Sequence, residues 1–213
     1  MPRIAILLSI LEGDDGSAGC LEECQRQVDA VASEGKYSFS IYINDSGEPG
    51  RQVVWEKASG ESPDFYLWID HDLRLSENAL SCMLENSEFL RHRAVVIGSV
   101  SGPGKDLVFG GRTKRGRLVE PDPVIPVPCD QFDLDLVLVP ASAFASLVNP
   151  AGFFRPGLTD YGYGSRLAKA GVHRMVAPGI LAQTSRQVKN PSWRDPDITF
   201  KEKMVRLTRA LFK

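Results

Sequence analysis

The most constraining feature of the sequence is the stretch FYLWIDHDLRLSENALSCML at residues 65–84. Its first five residues are apolar without alternation, which predicts a strand buried on both faces, as in a parallel sheet. The apolar run ends at Asp70-His71-Asp72, and an amphipathic helical pattern follows. Two carboxylates one residue apart are therefore expected at the carboxyl end of a buried strand, where open α/β sheets bind their ligands.

Two explanations of Asp70 and Asp72 are open at this point. Carboxylates at this spacing can share a divalent cation with the diphosphate oxygens of a ligand, and Mg²⁺ and Mn²⁺ favour such hard oxygen ligands. A polar turn leading into a helix, with Asp72 solvated, accounts for the same residues. His71 either extends the metal site or only fills the turn.

Strand and helix patterns alternate through the first half of the chain. The predicted strands are 4–10, 37–43, 65–69 and 94–100, and the predicted helices are 18–33 and one that Ser76 caps. The helix that Ser76 caps has four apolar residues on its inner face: Ala79, Leu80, Met83 and Leu84. This alternation predicts an α/β fold with a mostly parallel central sheet flanked by helices.

The second half of the chain has a less regular pattern. It predicts a hairpin turning at 114–116, strands at 135–140 and 173–178, helices at 141–148, 161–170 and 197–212, and an extended proline-rich segment at 121–130. Gly171 is placed to end the helix before it as a left-handed cap. These elements predict a small antiparallel portion beside the main sheet.

Length and composition limit the classes of partner. A chain of 213 residues with 43% hydrophobic content suffices for one core, so we expect a single domain over 1–213. Its 25 basic and 27 acidic residues give a net charge of −2, which offers no electrostatic case for a nucleic-acid partner. Four scattered cysteines form no disulfide framework, which predicts a reducing, cytoplasmic location. The short N-terminal apolar run, followed by EGDDG, predicts a strand rather than a signal peptide.

Three further segments carry candidate chemistry. Asp160 begins a predicted helix, whose dipole favours an ionised carboxylate, so it is either a general base or only an N-cap. Asp45 follows the second predicted strand and either contacts a ribose or base or stabilises a turn. Gly110, Gly111 and Arg112 open the segment GGRTKRGR, whose glycines and basic residues either meet a diphosphate or form a solvated hairpin tip.

Taken in this order, these segments resemble family 2 glycosyltransferases of the GT-A fold, most closely the bacterial members that build polysaccharides. The resemblance is carried by FYLWIDHDLRLSENAL, LVFGGRTKRGRLVEP, CDQFDLDLVLVP, LTDYGYGSRLAKAGVHRMVAPG and NPSWRDPDITFKEK, and it covers most of 65–203. It implies a GT-A-like (Rossmann-like) domain with a nucleotide-binding half at 1–104, an acceptor half at 105–190 and a C-terminal helix at 191–213.

The resemblance implies inverting, metal-dependent transfer of a sugar from a nucleotide-sugar donor to a hydroxyl of a glycan or lipid-linked acceptor. Asp72 matches the metal-binding carboxylate of the DxD motif, with Asp70 beside it, and the implied cofactor is Mn²⁺ or Mg²⁺. Asp160 matches the general base. Asp45, Asp70 and the segment 110–112 fall on the nucleotide side. A lipid-linked acceptor leaves open a peripheral association with the inner face of a membrane.

The sequence departs from the family pattern at four places. The segment between Asp45 and Asp70 is short, and the other departures are Gly162 for a second carboxylate, Leu134-Asp135 for a Gly-Asn pair, and Thr184-Ser185-Arg186 where relatives place His or Glu. These departures motivate a second hypothesis, a non-catalytic relative that binds a nucleotide, a sugar or an assembly partner. A third hypothesis takes the strand and DxD as the nucleophile motif of a haloacid-dehalogenase-like phosphatase.

Overall fold

The computed structural model describes residues 1–9, 15–43, 51–145 and 160–186. The strands are β1 (Arg3–Ser9), β2 (Ser38–Ile43), β3 (Phe65–Asp70), β4 (Leu73–Leu75), β5 (Ala94–Ser101), β6 (Leu107–Phe109), β7 (Gly111–Arg112), β8 (Val127–Pro128), β9 (Gln131–Phe132), β10 (Leu136–Pro140) and β11 (His173–Thr184). The helices are α1 (Asp15–Ala32), α2 (Arg51–Ser59), α3 (Ala79–Phe89), α4 (Ala141–Ala145) and α5 (Asp160–Lys169).

The central sheet has the strand order β2-β1-β3-β10-β5-β11-β4. Strands β2, β1 and β3 are parallel, and β10 lies antiparallel between β3 and β5, so that β5 and its parallel neighbour β11 point the same way as β3. Strand β4 closes one edge antiparallel to β11. Strands β7 and β9 form a separate two-stranded antiparallel sheet. The predicted α/β fold, a mostly parallel sheet with a small antiparallel portion, is confirmed.

Both faces of the central sheet are covered, which explains why its inner strands lack polar alternation. Every residue of β3 and of β5 is buried. In β3, Leu67 and Ile69 pack in the cluster that includes residues of α1 and α3, whereas Tyr66 and Trp68 pack in the cluster that includes residues of α2, α4 and α5. Successive residues of a strand point to opposite faces, so an inner strand of a three-layer domain needs apolar side chains at every position.

Helix α2 and strand β4 were absent from the sequence-based prediction. Helix α2 has a narrow apolar strip, in which Val54 and Ala58 are buried, and such a short strip gives little periodic signal. Strand β4 has only three residues and owes its conformation to pairing with β11, where Leu73 lies opposite Thr184. The predicted inner face of α3 is confirmed, but the predicted cap by Ser76 is wrong, because Asn78 precedes the helix and makes no side-chain cap hydrogen bond.

Two of the predicted features lie outside the described residues: Asp45 and the C-terminal helix at 197–212. Among the helices that the structure describes, none combines the length and the apolar character needed to cross a bilayer.

The four cysteines give a test of this packing. Burial raises the pKa of the Cys20, Cys24 and Cys129 thiols to about 12. Because the thiolate is the reactive form, we expect these three thiols to resist a disulfide reagent in the native protein at about pH 8 and to react once urea unfolds the chain. A spectrophotometric thiol count measures this, and Cys82→Ser is the control, since Cys82 is the only partly exposed cysteine. Rapid reaction of three or more native thiols would contradict the packing.

Candidate functional site

A cluster of carboxylates lies where the antiparallel strand β10 begins beside the end of β3. Asp70 is the last residue of β3, and Asp135 immediately precedes β10. Because Leu136 pairs with Ile69, the backbone N–H of Asp70 donates to the carbonyl oxygen of Asp135 at 2.8 Å. The sheet register therefore brings together two acidic residues that are far apart in sequence, and both are buried.

Strands β4 and β11 place the third carboxylate of the cluster. Asp72 lies in the turn between β3 and β4, and Leu73 pairs with Thr184 at the end of β11. The hydroxyl of Thr184 donates a short hydrogen bond to Oδ2 of Asp72. This bond orients the carboxylate at the carboxyl edge of the sheet, where the sequence predicted a ligand site.

The guanidinium of Arg186 joins all three carboxylates. Its Nε donates to Oδ2 of Asp72 at 2.6 Å, and its Nη2 lies 2.8 Å from Oδ1 of the same carboxylate. The same Nη2 is 2.8 Å from Oδ2 of Asp70 and 2.9 Å from Oδ1 of Asp135. The guanidinium also lies over the ring of Phe109, with Cζ 5.0 Å from the ring centroid, a cation–π contact.

Electrostatics at this cluster favour the charged form of Arg186. Burial alone lowers the pKa of the guanidinium, but the charges of Asp70, Asp135 and Asp72 outweigh burial and raise that pKa above its ordinary value. The side chain of Arg186 is 41% exposed, whereas those of Asp70, Asp72 and Asp135 are 6%, 8% and 9% exposed. The cation is thus accessible from solvent, and the carboxylates lie beneath it.

The donor set at this position suits a divalent cation. One ligand atom from each of Asp70, His71 and Asp72 lies within 4.8 Å of the others, and Nδ1 of His71 is 3.1 Å from Oδ1 of Asp70. Carboxylate oxygens are the ligands that Mg²⁺ and Mn²⁺ prefer, and Mn²⁺ also accepts imidazole. A positively charged group, the guanidinium of Arg186, already lies among these oxygens in the structure.

The predicted nucleotide-side residues 110–112 have structural contacts of their own. The guanidinium of Arg112 forms a buried ion pair with Asp133, with Nη2 2.8 Å from Oδ2. The N–H of Gly110 donates to the same carboxylate at 3.2 Å. A Cβ on Gly111 would lie 2.2 Å from Cγ2 of Val176, so only glycine fits there. These contacts connect β7 to the main sheet, and a diphosphate contact of 110–112 stays a prediction.

Asp160 is the first residue of α5, and its side chain lies outside the described part of the structure. Helix α5 is followed by a short turn and then by β11. Gly164 fixes the helix against β9, because a Cβ there would lie 2.3 Å from the carbonyl oxygen of Asp130. The role of Asp160 as a general base stays a prediction.

Sequence reasoning did not select Asp135 or assign a role to Arg186. Asp135 is one of three acidic residues in CDQFDLDLVLVP. Only the pairing of β10 with β3 distinguishes it from the other two. The sequence marked Arg186 as a departure from the family pattern, but its contacts with Asp72 span 114 positions of the chain.

Comparison with known proteins places the chain in a fold class. The chain is similar to the crystal structure of GalNAc-T7 with UDP, GalNAc and Mn²⁺, with a TM-score of 0.56 and 9% identity over 97% of this chain and 47% of that chain. It therefore spans about half the length of that protein. It is also similar to the crystal structure of A197 from STIV, with a TM-score of 0.52 and 11% identity over 85% of this chain and 84% of that chain.

These likenesses show the fold, which is GT-A-like, the fold of a class of glycosyltransferases. No protein-family model and no curated protein sequence matches the chain.

The buried pair of Arg112 and Asp133 yields a prediction about stability. Asp133→Ala leaves a buried guanidinium without its carboxylate, so we expect the free energy of unfolding to fall by roughly 3–5 kcal/mol. Urea denaturation measures the change, and Asp106→Ala is the control, because Asp106 is exposed. The double variant Arg112→Met, Asp133→Leu should lose less than Asp133→Ala, since it leaves no unpaired charge. A loss below about 1 kcal/mol in Asp133→Ala would contradict the structural role.

Proposed function

We propose that the chain is a glycosyltransferase that moves a sugar from a nucleotide-sugar donor to an acceptor hydroxyl, with a divalent cation held by Asp70 and Asp72. The observation that carries this proposal is the carboxylate cluster at the carboxyl edge of a GT-A-like sheet, with a cationic group already among its oxygens. The similar structure of GalNAc-T7 contains UDP and Mn²⁺, which supports a nucleoside diphosphate and a divalent cation as ligands here.

The proposed reaction is a direct displacement at the anomeric carbon. Asp160 accepts the proton of the acceptor hydroxyl, the acceptor oxygen forms a bond to the anomeric carbon, and the bond from that carbon to the diphosphate oxygen breaks. This displacement inverts the configuration of the anomeric carbon. Asp70 and Asp72 would hold the divalent cation, which would supply Lewis-acid stabilisation of the departing diphosphate. Thr184 orients the carboxylate of Asp72, and Asp160 is the first residue of α5.

The finer parts of the proposal come from the resemblance of the sequence to family 2 glycosyltransferases. They are a bacterial polysaccharide pathway, a glycan or lipid-linked acceptor, and a nucleotide pocket that includes Asp45 and 110–112. A lipid-linked acceptor would require the protein to work at the inner face of a membrane. A panel of nucleotide-sugar donors identifies the nucleotide base and the sugar.

Ligand binding is tested through thermal stability. We expect Mn²⁺ together with at least one nucleoside diphosphate of a uridine, guanosine and thymidine panel to raise the melting temperature, because a ligand that binds only the folded state stabilises it. Asp72→Asn should abolish most of the shift, and Asp106→Asn should retain it. A shift without sugar transfer from any donor would favour the non-catalytic alternative. The absence of any shift would contradict nucleotide-dependent function.

The general base is tested by Asp160→Asn. We expect sugar transfer to fall by roughly a hundredfold or more, the usual contribution of a positioned base, while the stabilisation by Mn²⁺ and nucleotide is kept. Transfer at the wild-type rate would show that another group accepts the proton. Release of phosphate from p-nitrophenyl phosphate by the wild type, lost in Asp70→Asn, would instead support the phosphatase alternative.

A further inference from the structure

Arg186 occupies the oxygens that a divalent cation would need. Both oxygens of Asp72 contact its guanidinium, as do Oδ2 of Asp70 and Oδ1 of Asp135. The remaining oxygen of Asp70 accepts from His71. A metal ion bound between Asp70 and Asp72 would have to take lone pairs that Arg186 now uses. The guanidinium and the metal ion therefore exclude each other at these two carboxylates.

We propose that Arg186 is a tethered counter-cation of this site, and that a divalent cation binds by displacing its guanidinium from Asp70 and Asp72. The inference rests on the proposed function for the identity of the site. It adds a competition between a side chain and a metal ion, which sets how tightly the site binds metal.

The position of Arg186 in the fold allows this displacement. The last pair of the ladder between β4 and β11 is Leu73 with Thr184, so Arg186 lies beyond the sheet. Its backbone N–H donates to Oγ1 of Thr184, and its side chain is 41% exposed. The guanidinium can thus leave the carboxylates by rotation of its own side chain, without the loss of any strand pairing.

Charge balance gives the competition its physical basis. The three carboxylates contribute three formal negative charges, and Arg186 balances one of them in the metal-free protein. Without Arg186 or a metal ion, three buried carboxylates would repel one another in a small volume. Arg186 therefore stabilises the metal-free protein and weakens metal binding by the same contacts. The apparent dissociation constant rises in inverse proportion to the fraction of molecules whose site is open.

The experiment measures binding of Mn²⁺ alone, without nucleotide, by calorimetry or by the electron paramagnetic resonance signal of free Mn²⁺. We expect Arg186→Ala and Arg186→Gln to bind Mn²⁺ at least about tenfold more tightly than the wild type. Two variants are used because the loss of a counter-cation lowers stability, and glutamine keeps hydrogen-bonding groups near the carboxylates. Circular dichroism establishes that each variant is folded.

Thermal stability provides a second readout that does not depend on catalysis. Without metal, Arg186→Ala should melt below the wild type, and saturating Mn²⁺ should raise its melting temperature by more than that of the wild type. Arg74→Ala is the matched control, because Arg74 is an exposed arginine on β4, the strand next to β11, and it should leave Mn²⁺ affinity within about twofold of the wild type.

The outcomes separate this inference from the proposed function. Equal or weaker Mn²⁺ binding by both Arg186 variants would overturn the competition and leave the metal site in place. Failure of the wild type and of both variants to bind Mn²⁺ would overturn the metal site and the competition together. Tighter binding by the variants, lost again when Asp72→Asn is added, would support the competition even if no donor sugar were transferred.

Discussion

The position of β10, antiparallel between β3 and β5, is the constraint on which the site depends. A strand inserted in this direction begins beside the end of β3, so Asp135, which immediately precedes β10, meets Asp70 through a backbone hydrogen bond. A parallel strand in the same place would carry its first residue to the opposite edge of the sheet. The acidic cluster is therefore a direct consequence of one reversed strand.

Two arginines of the described residues form ion pairs with buried carboxylates, and their own exposed fractions differ. Arg112 and Asp133 are nearly inaccessible, which suits a structural pair that fixes β7 beside the main sheet. Arg186 is much more accessible than the carboxylates it contacts, which suits an exchangeable partner. The exposed fraction of the side chain thus distinguishes Arg112, which supports the fold, from Arg186, which in our proposal controls metal binding.

The sequence predicted the layered α/β fold because its inner strands carry a strong local signal. Five apolar residues in succession at 65–69 indicate burial on both faces, and the inner face of α3 follows from helical spacing. Helix α2 and strand β4 were missed because one is short with a narrow apolar strip and the other is defined by its partner strand. Local periodicity does not reveal pairing between strands that are distant in the sequence.

For the candidate site, Asp70 and Asp72 could be selected from their place at the end of a buried strand. Asp135 and Arg186 could not be assigned to the cluster, since their roles depend on the register of β10 and on a side chain that follows β11. The likeness to solved structures supports the fold, whereas the contacts of Arg186 are a property of this chain.

The strand order has a consequence for synthesis of the protein on the ribosome. Strands β1, β2 and β3 can pair as soon as they emerge, but β5 stays without its neighbour β10 until residues 136–140 have been translated. Strand β11, which bears Thr184 and precedes Arg186, emerges later still. A nascent chain therefore carries its acidic residues uncompensated for much of translation, and the charge cluster is completed only when its cationic partner leaves the exit tunnel.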